Sequence, residues 1–169
     1  LIIVAEHQTK GKGQMGRRWY TSPGNNLNLS YIIKNITYTP TIFNMAITLG
    51  VLDGIRSFPF IEGVKDVDFS IKWPNDIVLI EDSGVRKIAG ILIENSWRGE
   101  TQTASIVGVG VNLDTKFSKE QVSDFNLMPG NLNNYLSENI SALNSELPII
   151  NAIQNRIHML STEKGDEII

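Results

Sequence analysis

The sequence predicts an α+β fold: a mixed, largely antiparallel sheet flanked by helices. Three observations lead there. Apolar residues alternate with polar ones in short runs, as at Leu27, Leu29, Tyr31 and Ile33 or at Val67, Phe69 and Ile71, which is the period of a half-buried strand. Clusters of turn residues close these runs at short intervals. Helical spacing is confined to a central stretch and to the C-terminal third, so the order is strands, one helix, a meander of strands, then helices.

In chain order, Leu1 to Ala5 is a continuous β-prone run, expected to be a buried strand. Thr21-Ser22-Pro23-Gly24-Asn25-Asn26 is a turn cluster, and the strand from Leu27 follows it. Thr39 before Pro40 suits a helix start, because proline is tolerated at the first helical position. Apolar residues are dense from Phe43 to Ile55, which predicts a well-buried helix with Phe43, Met45 and Leu49 in the core, closing near Ser57-Phe58-Pro59. The Val67–Ile71 strand runs into Trp73-Pro74, where proline interrupts the ladder. Ile77 to Ile80, Lys87 to Glu94 and Ala104 to Leu113 are the returning strands, with turns at 81–84 and 98–100. Gly108 and Gly110 inside the last of these mark close approach of a ligand or a neighbouring backbone. Short helices are expected from Ser118 and around Leu132 to Ile140, and a longer one over Leu147–Leu160 with Pro148 near its start.

At 169 residues the chain is expected to form a single domain over 1–169. Its 41% hydrophobic and 20% charged residues are ordinary for a globular protein. A net charge of −3 argues against a nucleic-acid surface over the whole domain. Without cysteine there are no disulfides or thiolate metal sites, and a reducing, cytoplasmic location is expected. No apolar stretch is long enough to span a bilayer. The chain opens without Met and inside a strand-like run, which predicts a fragment incomplete at its N-terminus.

The chemistry-bearing stretch is Gln8 to Arg18, where Gly11, Gly13 and Gly16 sit among Lys10, Lys12, Arg17 and Arg18. Glycine N–H groups can close around an anion and the cations add charge, although a solvated surface loop has the same composition. The glycines match G-x-G-x-x-G, but Arg-Arg-Trp-Tyr-Thr-Ser-Pro-Gly follows, a turn toward a strand rather than a helix. A dinucleotide site is therefore excluded, and a P-loop lacks its Gly-Lys-Ser/Thr ending. Lys72 ends a strand at the Trp-Pro break, where an ammonium projects into the sheet mouth or simply into water. Asp76 would bind Mg²⁺ or cap its turn; Asn112 would meet a nucleotide or satisfy a turn; Lys87 reads as a hairpin-end surface lysine. His7 and His158 have no partners at ligand spacing, and no nucleophile–base set is present.

Glu6 to Trp19 resembles the biotin-binding loop of biotin protein ligases, E-x-Q-x-x-G-R-G-R-x-G-R-x-W, with Lys12 and Gln14 in place of arginines. Lys72-Trp73-Pro74-Asn75-Asp76 resembles that family's K-W-P-N-D element, Lys87 to Glu94 its K-[LI]-[AG]-G-[IL]-L-x-E strand, and Gly108 to Asn112 its G-x-G-[IV]-N element. Four elements in order, over roughly residues 4 to 113, are far more specific than any one alone. The resemblance implies a fold like that of class II aminoacyl-tRNA synthetases and biotin synthetases. It implies a two-step reaction in which biotin and MgATP give biotinyl-5′-adenylate, and the acyl group then passes to a lysine of a biotin carboxyl carrier domain. Gln8, Gly11, Lys12, Gly13, Gln14, Lys72 and Gly90 would bind biotin. Arg17, Trp19, Asn75 and Asn112 would bind ATP or the adenylate, Lys72 and Arg17 would be catalytic, and Asp76 would hold the metal. The family's D-S-T-N segment, its SH3-like domain and a DNA-binding helix-turn-helix are not in this sequence. No DNA or membrane partner is expected, and a homodimer through a sheet edge is. Lipoate or octanoyl transfer on the same fold and a non-catalytic biotin-binding module are the alternatives.

Overall fold

The computed structural model describes residues 1–34, 36, 38–65, 68–123 and 125–161. Six strands form one sheet: β1 (Ile2–Val4), β2 (Asn26–Lys34), β3 (Phe69–Lys72), β4 (Asp76–Glu81), β5 (Gly84–Arg98) and β6 (Thr101–Asn112). Their spatial order is β1-β2-β6-β5-β4-β3, and every ladder is antiparallel. Among the described residues the α-helices are α1 (Pro40–Arg56), α2 (Lys119–Ser123) and α3 (Ala142–Ser161). Val67, expected in the strand before the Trp-Pro break, lies outside the described residues.

The alternation seen in sequence sets the two faces of the sheet. Leu27, Leu29, Ile77, Ala89, Ile91, Val107, Val109 and Val111 point to one face and pack with Ile47, Ile55, Ile149 and Ile153 of α1 and α3. Each such side chain, fully buried, contributes roughly 1.5–3 kcal/mol. The helices approach closely because Gly50 and Gly54 leave a flat strip on α1. A methyl group on either would lie 2.6 Å from the Ile153 Cα or 2.7 Å from the Ile149 Cα.

Helix α1 starts as its sequence indicates: Pro40 follows Thr39, whose hydroxyl accepts the Ile42 N–H at 3.4 Å. Phe43 is buried, whereas Met45 and Leu49 are only half-buried. Two expectations need correction. The Leu1–Ala5 run is not buried: β1 is an edge strand paired only with β2, and Ile3 and Val4 are 49% and 37% exposed. Nor does α3 start near Pro148. Ser141 caps an earlier start, its hydroxyl accepting the Asn144 N–H at 3.2 Å, so Pro148 lies inside the helix. Proline deprives the Asn144 carbonyl of its helical donor, and Asn144 is solvent-exposed, so water can replace the bond. Around Leu132 only one 3-10 turn forms, Leu132–Tyr135.

That turn is tied to the sheet through Glu81. The Tyr135 hydroxyl donates to Glu81 Oε1, the Ser83 hydroxyl donates to Oε2 at 2.6 Å, and the Arg86 guanidinium stands 3.6 Å away. The Ser83 and Tyr135 hydrogen bonds hold the Glu81 carboxyl below its ordinary value. Burial, reinforced by the facing carboxylate, pushes the Tyr135 hydroxyl up to about 12, so it stays a donor. A carboxyl with a depressed folded-state pKa stabilises above its unfolded value and loses that contribution as pH falls through the folded one. Tyr135→Phe should therefore flatten the acid limb of stability against pH. Urea denaturation from about pH 6 to pH 3 checks this; an unchanged acid slope would remove Glu81 from the account.

Candidate active site

The sheet face away from the helices carries a row of residues in cross-strand register. Asn28 pairs with Gly110, Gly110 with Gly90, Gly90 with Asp76 and Asp76 with Lys72. Five strands thus bring residues of three sequence motifs onto a single line, with two glycines in the middle. Those glycines form a trough, and its occupant is Trp19. A Cβ on Gly110 would lie 2.4 Å from the Trp19 ring, and one on Gly90 would lie 3.1 Å from both the ring and Lys87 Nζ. The close approach foreseen for Gly110 is therefore made by an indole side chain. Gly108 has only Leu92 near it, at 3.6 Å.

Trp19 is delivered by the basic loop, which folds as a small hairpin. Gly13 N–H donates to the Arg17 carbonyl at 2.7 Å and Trp19 N–H to the Gly11 carbonyl at 3.0 Å, while Lys12 bridges Arg18. The tip, Gln14–Gly16, is a 3-10 turn with Met15 at φ 56° and 92% exposed. Thr21 closes the base, its hydroxyl accepting the Gln8 N–H at 3.1 Å. Gly11 is consumed in this closure, because a Cβ there would lie 2.4 Å from the Trp19 carbonyl oxygen.

Two lysines meet at Asp76. Lys87 Nζ is 2.6 Å from Asp76 Oδ1 and 5.6 Å from the Trp19 ring centre, a cation–π distance; Lys72 Nζ is 3.8 Å from Oδ2. Their exposures separate them: the Lys72 side chain is 56% exposed and Lys87 26%. Lys87 is therefore the partly desolvated cation, and it is the residue that sequence reasoning took for a surface lysine. The reason is a β-bulge. Ile77 pairs with Ala89 but Val78 pairs with Lys87, so Ile88 is skipped. Strict alternation from Gly90 would put Lys87 on the helix face; the extra residue turns it to the trough. The turn between the lysines is gripped from both sides. Asn75 Nδ2 donates to the Ile91 carbonyl at 2.8 Å, and Asn44 Nδ2 of α1 donates to the Pro74 carbonyl at 3.2 Å. The Trp73–Pro74 peptide is cis.

Two adjoining clefts open over this floor. The smaller, about 220 Å³, is lined by Gln8, Lys12, Gly13, Gln14, Ser30, Gly90 and Leu92 among others. The wider, about 480 Å³, is lined by Arg17, Lys72, Asp76, Asn112, Phe117 and Phe125 among others. Gly13, Gln14, Trp19, Asn75 and Lys87 line both. The sequence-derived residues thus gather at one place with two exceptions of detail. Gly11 lines neither cleft, and Asn112 is 3% exposed with its amide engaged within the protein. Among the described residues no group of three His, Cys, Asp or Glu side chains could hold a metal ion. None of their helices is long and apolar enough to cross a membrane.

A family model described as the biotin/lipoate A/B protein ligase family matches residues 1–112, the stretch containing every residue of the row. The chain belongs to the biotin/lipoate A/B protein ligase family. Among curated relatives, the bifunctional ligase/repressor BirA of Bacillus subtilis is 31% identical over 127 residues, covering 73% of this chain and 34% of the relative. The biotin–[acetyl-CoA-carboxylase] ligase of Mycobacterium tuberculosis is 31% identical over 116 residues, covering 67% and 39%. The chain thus spans little more than a third of the length of these relatives. The biotin protein ligase of Aquifex aeolicus, solved in complex with biotin and ATP, superposes with a TM-score of 0.76 at 23% identity, over 98% of this chain and 64% of that one. A lipoate-protein ligase A bound with ATP superposes less closely, with a TM-score of 0.54 at 15% identity. At these identities the likeness is one of fold, and it matches the α+β class and the antiparallel sheet.

Proposed function

We propose that this family member carries the catalytic site of a biotin protein ligase. In the first step a carboxylate oxygen of biotin attacks the α-phosphorus of ATP, pyrophosphate leaves, and biotinyl-5′-adenylate forms. In the second, the amine of a carrier-domain lysine attacks the acyl carbon and AMP leaves. The observation that carries this reading is the pair of adjoining clefts with a half-buried cation, Lys87, at their junction. A reaction that joins a carboxylate to a phosphate needs two binding sites meeting at positive charge, and no protein nucleophile.

In this reading Gln8, Lys12, Gly13, Gln14 and Gly90 hold the biotin end, and Gly11 holds the hairpin that presents them. Arg17, Trp19 and Asn75 serve the nucleotide end. Lys87, with Lys72 nearer the solvent, neutralises charge as it grows on the α-phosphate, and Asp76 orients both ammonium groups. Among the described residues Asp76 is the only carboxylate lining the wider cleft, and two lysines already engage it, so it is not a free Mg²⁺ ligand. The acceptor is a biotin carboxyl carrier domain, the location is the cytoplasm, where ATP is available, and the exposed edge strand β1 is the surface for a homodimer.

The test is biotin-dependent exchange of pyrophosphate into ATP, with thermal shifts in biotin, lipoate and MgATP. Biotin should raise the melting temperature, and MgATP should enlarge that rise, because tighter ligands stabilise the native state more. A response to lipoate and none to biotin would overturn the assignment.

A further inference from the structure

The bulge that turns Lys87 into the cleft is held from outside its own hairpin. Lys87 N–H donates to the Met128 carbonyl at 2.8 Å, and the Lys87 carbonyl accepts from the Gly130 N–H at 2.9 Å. The same carbonyl accepts a second hydrogen bond, from the side chain of Asn112, whose Nδ2 is 3.3 Å away. Asn112 is itself fixed. Its Oδ1 accepts from Asn26 Nδ2 at 3.3 Å, and Asn26 Oδ1 accepts the Ser22 N–H at 2.9 Å. Asn26 and Asn112 are cross-strand partners, 0% and 3% exposed. Ser22 follows Thr21, the residue that closes the base of the hairpin carrying Trp19.

A primary amide accepts at one atom and donates at another while carrying no charge. Two of them in series pass a fixed polarity from the hairpin base to the Lys87 carbonyl. The alternative at such a buried place, an unpaired amide or a charged group, is costly. The relay therefore has one direction and one geometry.

We propose that Asn26 and Asn112 are positioning residues for Lys87, fixing its bulged backbone so that the ammonium meets Asp76 and the substrates. The role rests on the reading of Lys87 given above. It assigns Asn112 an action through Lys87 rather than a direct contact with nucleotide, and it gives Asn26 a role that no motif resemblance supplies. Neither side chain has to touch substrate.

The experiment is a double-mutant cycle. Asn26→Ser shortens the side chain away from Asn112, and Asn26→Leu fills the same space without polar atoms should the serine variant fold poorly. Each is measured alone and with Lys87→Met, by biotin-dependent pyrophosphate exchange. The expected result is a roughly tenfold loss in kcat with little change in KM for the single variant, and no further loss once Lys87 is gone. Losses that multiply in the double variant would overturn the proposal, because Asn26 would then act independently of Lys87. A ligand-free readout stands beside it: in a crystal structure of the Asn26→Ser protein, Lys87 Nζ should leave Asp76 Oδ1. An undisturbed Lys87–Asp76 contact would also overturn the relay. Should the wild type show no exchange, the ligase reading fails, and the crystal structure still decides the relay.

Discussion

Lys87→Met should lower biotin-dependent pyrophosphate exchange by about 10²–10³-fold, the scale of losing one preorganised charge from a transition state. Methionine keeps most of the stem length and its packing against Trp19, so the change isolates the ammonium. It also strips Asp76 Oδ1, a buried atom 2.6 Å from Lys87 Nζ, of its ion-pair partner. Stability should fall by about 1–3 kcal/mol, because the buried carboxylate keeps its desolvation cost with only the more distant, exposed Lys72 beside it. Removing that carboxylate as well, in Lys87→Met with Asp76→Asn, should restore stability without restoring exchange. Lys72→Met should cost less, about tenfold, since the Lys72 side chain is 56% exposed and 3.8 Å from Asp76 and solvent screens it. Exchange kinetics and urea denaturation on the same preparations separate the two lysines. Equal losses would mean that the two ammonium groups share the role, and a larger loss for Lys72→Met would place the decisive charge on the outer one.

Gly110→Val should abolish exchange and destabilise the protein by about 1–3 kcal/mol, the usual cost of overpacking. The added side chain begins 2.4 Å from the Trp19 ring, so the indole must leave the trough or the sheet must deform. The direct readout is fluorescence. Trp73 and Trp97 are already 55% and 51% exposed, so a red shift on substitution reports Trp19. Gly108→Ala is the packing control: its nearest neighbour is 3.6 Å away, an ordinary contact, so stability and emission should survive. Normal emission and exchange in the valine variant would mean that Trp19 does not rest where the trough places it.

Most of the framework could be read from residue order because it depends on local rules. Thr39-Pro40 starts α1 where the capping pattern puts it, and the alternation at Leu27 and Leu29 puts these residues in the core. The illegible parts depend on long-range geometry. Asn26 reads as a turn residue and Asn28 as a polar position of a half-buried strand, yet both are buried, Asn26 bonded to the Asn112 amide and Asn28 to the Ala5 carbonyl. Lys87 escaped because a period of two cannot reveal a skipped residue. Of the two glycines expected to mark a close approach, Gly108 and Gly110, only Gly110 does so, and only the fold shows that a tryptophan fills the space there and at Gly90. The edge position of β1 was hidden because a β-prone run looks alike at the centre or margin of a sheet. Pro148 misled because an early capping serine outweighed it.

The row from Asn28 to Lys72 has one further consequence. Its charged members, Lys72 and Asp76, lie on β3 and β4, and Lys87 joins them from β5, all locked by ladder bonds and by α1 through Pro74, whereas further lining comes from a short hairpin and the segment after β6. The molecule thus keeps its electrostatics and its shape on separate parts. Under the proposed function, substitutions in the hairpin can recut the smaller cleft for a different acid while the cation and its carboxylate stay in place. A single scaffold can diversify its substrates in this way without having to reinvent its chemistry.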